Sequence, residues 1–393
     1  MNKRYSQALQ KCKDALGVSA THLDWTMVPY VRKSFAKHYL DGLEYIEGAS
    51  VNEESGWGAE LKNAAADISI DDKDTYCCEG VYKYALDMTE KEVHQAVEAM
   101  YHNLNTLQSR SGNQLPFSSI NYGTCTKTEG RMVIKALLDV SIQGMGKLHK
   151  TSVFPCGIFQ CMKGVNRKPE DPNYDLFRLA LKSTSLRLYP NYANCNWSGN
   201  AGYDENDPRT FFSTMGCRTA NGFDINGFGQ LKDGRGNICP TTIILPTIAM
   251  EALEENLENG EQNNETVVET FMRLLDTKIE EAKDMLLERF SWICSQPPEA
   301  AKFMYENGLM AGYIPEEGIR SALKHGTLAI GQLGLAETLR ILVGCDHTTP
   351  GGMELAKKIE KMFNDRCAEF KKTYKLNFGV YYTPKSVGAL IGR

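Results

Sequence analysis

No stretch of this sequence approaches the ~20 consecutive apolar residues that a membrane-spanning helix needs. The opening "NKRYSQALQKCKDALG" also has no apolar segment of the kind a secretory leader carries. A cytoplasmic protein with no membrane partner is the expectation. An excess of charge of one sign is missing too: 44 Lys and Arg stand against 49 Asp and Glu, a formal net charge of −5 spread along the chain. With no basic stripe to follow a phosphate backbone, no nucleic-acid partner is expected, although a local pocket can still bind a phosphate-bearing small molecule. The 12 cysteines include no CxxC pair; Cys77 and Cys78 are adjacent, and Cys156 and Cys161 have four residues between them, so no metal site is expected among them. In an intracellular chain of this size they read as reduced thiols. Also lacking are a serine–histidine–aspartate order, a phosphate-cradling loop and a paired-carboxylate motif.

The 393 residues are 42% hydrophobic and 24% charged, ample material for one large domain or two closely packed ones. Apolar residues at three- and four-residue steps predict helix through the first forty residues, with "NKRYSQALQKCKDAL" and then "VPYVRKSFAKHYLDGLEYI". The segment "DMTEKEVHQAVEAMYHNLNTLQSR" predicts another helix, with Thr89 as N-cap and Glu92 completing a capping box. From there strands and helices alternate. "QLPFSSINYGTC" reads as strand, "GRMVIKALLDVSIQGMG" as helix, "KTSVFPCGIFQCMKGV" as strand, and "NYDLFRLALKSTSLRLYPNYANC" as helix then strand. "TFFSTMGC" and "NICPTTIILPTIAM" are two further strand candidates around a glycine-rich turn region. Three more helices follow, from "NNETVVETF", "PPEAAKFMYENGLM" and "GGMELAKKI", together with a strand-to-helix unit in "HGTLAIGQLGLAETLRILVG" and a last strand in "FGVYYTP". Such alternation favours an α/β barrel or wound sheet.

Few residues carry chemistry on their own. Ser118, Ser119 and Asn121 place hydroxyl and amide groups towards a strand's end, where pockets of α/β proteins open and such groups bind sugar hydroxyls or phosphates; a capped strand end is the plainer reading. Cys217, in "MGCR", is either a redox thiol or a buried core residue, and taken singly the core reading leads. Arg218 beside it is suited to lowering a thiol pKa or binding phosphate. Met215 fits core or pocket, and Asn237 in "GRGNICPTT" is either a substrate-orienting amide or a turn residue.

In combination and in order, "HNLNTLQSRSGNQLPFSSINYGT", "EGRMVIKALL", "FPCGIFQCMKGVNRKPEDPNYDLFRLA", "STMGCRT", "GRGNICPTTIILP" and "HGTLAIGQLGLAETL" resemble the catalytic domain of anaerobic (class III) ribonucleotide reductases, which are glycyl-radical enzymes. The likeness runs from about Val28 to Pro384. It implies a ten-stranded α/β barrel of two five-stranded halves that reduces ribonucleoside triphosphates by a radical route. A glycyl radical passes its hole to a barrel cysteine, which takes the C3′ hydrogen while the 2′-hydroxyl leaves as water. The resemblance makes Cys217 the second thiol of that scheme, which protonates the leaving hydroxyl and supplies reducing equivalents. It makes Asn237 the partner of the 2′-hydroxyl or of formate, the implied reductant, and Met215 the pocket methionine. Ser118, Ser119 and Asn121 fall in the substrate-lining strand, with Gly216 and Arg218 flanking the thiol.

Two departures accompany the likeness. The family's radical-accepting cysteine lies on a strand upstream of "VPYVRKSF", and Cys77–Cys78 falls on the wrong side of that segment. After "TP" the family's text continues through a zinc-binding cluster to the glycyl-radical loop, whereas here "KSVGALIGR" follows. Residues 1–393 therefore read as one partial catalytic barrel domain, without the nucleotide-binding cone that senses ATP and dATP. The implied partners are ribonucleoside triphosphates, ATP and deoxynucleotide effectors, a radical-SAM activating enzyme, and a second copy or complementing fragments. A non-catalytic module that binds nucleotides or dimerises is the competing expectation.

Overall fold

The computed structural model describes residues 17–48, 56–106, 115, 117–215, 219–259 and 265–382. They fall into two compact units, residues 1–216 and 217–393.

The first unit is a four-stranded parallel sheet in the order β1 (Gly17–Ala20), β2 (Phe117–Tyr122), β3 (Cys156–Cys161), β4 (Asn191–Asn194). A short helix α1 (Leu23–Thr26) follows β1 and leads into α2 (Val28–Tyr45). Then come α3 (Trp57–Ala64), α4 (Glu79–Thr106), α5 (Thr128–Gln143) and α6 (Tyr174–Arg187). The helices form because their apolar residues recur every three to four positions: Val31, Phe35 and Tyr39 on α2 meet Val81, Ala85, Val93 and Val97 on α4 in one core. Phe35 and Tyr39 each pack edge-on against Tyr76 with centroids 4.9 Å apart. The core reaches the sheet at Ile120, Tyr122 and Phe159, so these alternate residues mark the face the helices cover.

Four sequence expectations change. The chain is not helical up to Val28, because β1 lies there as an edge strand of the sheet; residues 2–16 lie outside the described residues. Thr89 is no N-cap. Helix α4 starts ten residues earlier, and Thr89 is buried within it, its hydroxyl donating 2.7 Å to the Ala85 carbonyl, while Glu92 accepts from Ser34 and bonds His38 at 2.9 Å. Of "TFFSTMGC", only Thr214–Met215 (β5) is strand among the described residues. In "NICPTTIILPTIAM" the strand stops at Ile244 and a helix starts at once.

The second unit begins with β6 (Thr219–Ala220) and centres on a parallel sheet of β7 (Asn237–Ile244), β8 (Thr327–Leu333) and β9 (Asn377–Tyr382). Its helices are α7 (Leu245–Asn259), α8 (Val267–Cys294), α9 (Lys302–Glu306), α10 (Arg320–Leu323), α11 (Leu335–Val343) and α12 (Pro350–Tyr374). Phe271, Leu275, Ile279 and Leu286 of α8 join Ile359 and Phe363 of α12 over Cys239, Leu328 and Ile330 of the sheet. Below the strand starts, Asp224 accepts hydrogen bonds from Asn377 (2.6 Å) and the backbone N–H of Phe228 (2.9 Å) and pairs with His325 at 2.8 Å. Burial works to raise this carboxyl, but these bonds outweigh it and hold it below the usual carboxylate range. Among the described residues no helix is long and apolar enough to cross a membrane.

Candidate active site

In the first unit the face of the sheet turned away from the helices is polar. Ser119 and Asn121 lie on it, by alternation with Ile120 and Tyr122, and register places Ser19 of β1 beside Ser119 and Ile158 of β3 beside Asn121. Gln160, two residues beyond Ile158, shares that face. Ser118 does not: it lies with Ile120 on the helix-covered side, buried, with no partner for its hydroxyl among the described residues. Strand β2 therefore divides the three candidate residues between two faces.

Across the polar face runs the backbone of Phe212, Ser213 and Thr214. Asn121 grips it at both ends of one carboxamide: Oδ1 accepts from the Thr214 N–H at 3.1 Å, and Nδ2 donates to the Thr214 carbonyl at 3.0 Å, with the Ala20 carbonyl at 2.9 Å. Both amide hydrogens are thus committed inside the protein. Ser19 Oγ donates to the same Thr214 carbonyl at 3.3 Å, and Gln160 Nε2 donates to the Phe212 carbonyl at 2.9 Å. A satellite core of Met162, Cys195 and Phe211 anchors the chain just upstream. Met215 ends β5, half-buried, and the chain then enters "GCR". Gly216, Cys217 and Arg218 lie outside the described residues.

In the second unit Asn237 opens β7, and a β-bulge decides where it points. Asn237 pairs with Thr327 and Cys239 with Leu328, leaving Ile238 as the extra residue. Regular alternation would put Asn237 with Cys239 and Thr241 on the helix-covered side. The bulge turns it to the face shared by Pro240 and Thr242. There the Asn237 Oδ1 is buried and has no hydrogen-bond partner among the described residues. On the same face the Tyr381 hydroxyl meets Thr242 Oγ1 at 2.5 Å.

Gly331 of β8 makes room for that ring: a Cβ there would sit 2.4 Å from a Tyr381 ring carbon. Gly331→Ala is expected to expel the ring and to cost about 2 kcal/mol in urea melts, the usual penalty of overpacking. Combined with Tyr381→Ala it should cost well under the sum of the two changes, because the clash disappears with the ring; strict additivity would contradict this packing.

The described buried cysteines are packed thiols rather than reactive ones. Burial pushes Cys125, Cys195 and Cys367 up to about 12 and Cys239 to about 11, and the half-buried Cys161 is likewise pushed to about 11. Among the described residues no three His, Cys, Asp or Glu side chains converge as a metal set would. Between α2 and α4 lies an open groove of about 870 Å³, lined by Tyr30, Lys33, Lys37, Glu92, His102 and Asn103 among others.

Ser19, Gln160, Thr242 and Tyr381 were not anticipated from the sequence. A lone polar residue in the apolar strand "CGIFQC" is a visible signal for Gln160. Ser19 gave none, since its stretch reads as helix.

The fold defined by these sheets is the α/β architecture of anaerobic ribonucleotide reductases. The crystal structure of the Thermotoga maritima enzyme with glycerol in the active site superposes with a TM-score of 0.51 over 75% of this chain and 46% of its own, at 14% identity. A second anaerobic ribonucleotide reductase structure gives 0.50 over 75% of this chain and 43% of its own, at 15% identity. The sequence matches the anaerobic ribonucleoside-triphosphate reductase family over residues 6–386, and the chain belongs to that family. Among curated relatives, the reductases of Haemophilus influenzae and Escherichia coli are 28% and 29% identical over 94% of this chain and 46% of their own length. That of phage T4 is 28% identical, with 53% of its length covered. The chain thus spans about half the length of the curated relatives it matches.

Proposed function

We propose that this chain supplies the reductant side of an active site that converts ribonucleoside triphosphates to 2′-deoxyribonucleoside triphosphates in the cytoplasm, as a portion of a catalytic barrel domain. Family membership supports the reaction class. The observation that carries the site is Asn237, turned by the bulge away from the helices with a buried carbonyl oxygen that no group among the described residues satisfies. A buried acceptor left open costs about 1–3 kcal/mol, which an incoming hydroxyl donor relieves. A ribose 2′-hydroxyl has that donor, and the Asn237 amide hydrogens suit the oxygens of formate.

In this reading Cys217 gives its thiol proton to the 2′-oxygen as the C2′–O bond breaks and water leaves. Formate provides the two electrons and is oxidised to carbon dioxide. A glycyl radical supplies the hydrogen-abstraction chemistry, with the radical-accepting cysteine, the glycyl loop and its zinc cluster contributed by sequence outside these 393 residues. The activating radical-SAM enzyme acts on that loop.

The alternative is a non-catalytic module that binds nucleotides or dimerises, and the α2–α4 groove with Lys33, Lys37 and His102 favours it specifically as an effector or dimer surface. Isothermal titration calorimetry separates the readings. Ribonucleoside triphosphates should give saturable heat with a dissociation constant on the order of 10⁻⁵ to 10⁻³ M, the range usual for enzyme substrates, and Asn237→Leu should weaken it while Lys33→Ala/Lys37→Ala does not. Heat lost only in the groove variant supports a nucleotide-binding module instead, and no saturable heat removes nucleotide binding and leaves the dimerising module.

A further inference from the structure

We propose that Ser19, Asn121 and Gln160 are positioning residues that hold the strand leading into Cys217. The inference deepens the reductase reading and rests on it for the role of the thiol. Three side chains from three adjacent strands converge on the backbone of Phe212 and Thr214, five and three residues before the thiol. Asn121 matches a peptide group in shape and in donor–acceptor order. One carboxamide therefore binds the N–H and the carbonyl of a single residue as a neighbouring strand would, and fixes its height above the sheet. Gln160 fixes the next carbonyl but one upstream, and so the direction of approach. Asn121 and Gln160 are fully buried and Ser19 half-buried, so water cannot replace the two amide grips without opening the sheet face. A reducing thiol has to meet its substrate within a fraction of an ångström, and fixing Phe212 and Thr214 on rigid strands sets the point from which the chain runs on to that thiol.

The chain itself provides the test. Alkylation of Cys217 by iodoacetamide is timed by peptide mass spectrometry against exposed Cys77 in the same molecule. Asn121→Leu keeps the volume and removes every hydrogen bond; the Cys217-to-Cys77 rate ratio should shift by about tenfold as local opening becomes easier. Asn121→Asp should behave like the leucine variant at pH 8, since a carboxylate cannot donate to the Thr214 carbonyl, and should return towards wild type as the pH falls and the carboxyl regains a proton. A merely structural defect has no such pH-dependent rescue. Where Asn121→Leu fails to fold, Gln160→Leu removes the Phe212 bond, together with a long 3.5 Å bond to the Thr21 carbonyl, and leaves the Asn121 grip on Thr214 intact; it should move the ratio in the same direction. An unchanged ratio and pH profile in folded variants overturns the proposal. Its failure is distinct from failure of the reductase reading, which is judged by product formation after Cys217→Ser.

Discussion

Cys217→Ser is expected to reduce deoxynucleotide formation by about 10³-fold or more, to background, when the chain is assembled anaerobically with segments that carry the radical cysteine and the glycyl loop. The size of the effect follows from the two tasks given to one sulfur. A serine hydroxyl is far too weak an acid to hand a proton to a departing 2′-oxygen, and it cannot be oxidised and restored within a turnover as a thiol can. The isosteric change leaves packing almost untouched, so melting temperature and nucleotide heats should match wild type. That pattern separates lost chemistry from lost structure. Product yield equal to wild type would remove Cys217 from the reaction and leave the nucleotide-binding module as the better account of the chain.

Asp24→Ala is expected to destabilise the first unit by about 4 kcal/mol in urea or thermal melts. Asp24 has no exposed surface, and its Oδ2 accepts the backbone N–H groups of Gly123 (2.9 Å), Thr124 (3.0 Å) and Cys125 (2.9 Å), the turn that leaves β2. Removing it strands three buried donors at about 1–3 kcal/mol each, partly relieved by water entering the space of the carboxyl. Asp24→Asn keeps one acceptor and should cost about half as much. Burial outweighs the backbone N–H bonds, those of Cys125 and Gly123 foremost, and raises the Asp24 pKa above its ordinary 3.8. With the folded value raised, its contribution is fully present below pH 3.8 and declines as pH climbs through the folded value. The gap between wild type and Asp24→Asn should therefore be widest in acid and narrow towards neutrality; a gap that widens with rising pH would mean that the carboxylate form is the stabilising one.

Two short segments show where sequence reading stops. Thr89–Glu92 ("TEKE") and Thr266–Glu269 ("TVVE") both spell a capping box. At Thr266 the box is real: the hydroxyl accepts from the Glu269 N–H at 3.3 Å, and the Glu269 side chain accepts from the Thr266 N–H at 2.8 Å, at the start of α8. At Thr89 the same spelling lies inside a helix already running from Glu79, because the upstream "GVYKYAL" puts Val81 and Ala85 into the core facing α2. Local hydrogen-bonding capacity is identical at the two places. Burial of the preceding turn decides which one is used.

The sequence by itself determined the α/β class, most of the strands and helices of both units, and the family, because those rest on periodic apolar burial and on ordered motifs that survive without coordinates. Tertiary structure alone decided the working faces. Ser118 and Ser119 are adjacent letters on opposite sides of β2, and Asn237 faces away from the helices only because Ile238 bulges out of register with β8. Asn121 reads as a substrate ligand until the backbone of Thr214, 93 residues later, is seen to occupy both ends of its amide. A side chain's chemistry is written in its own letter, but its partner is set by strand parity, bulges and long-range pairing, none of which one position encodes.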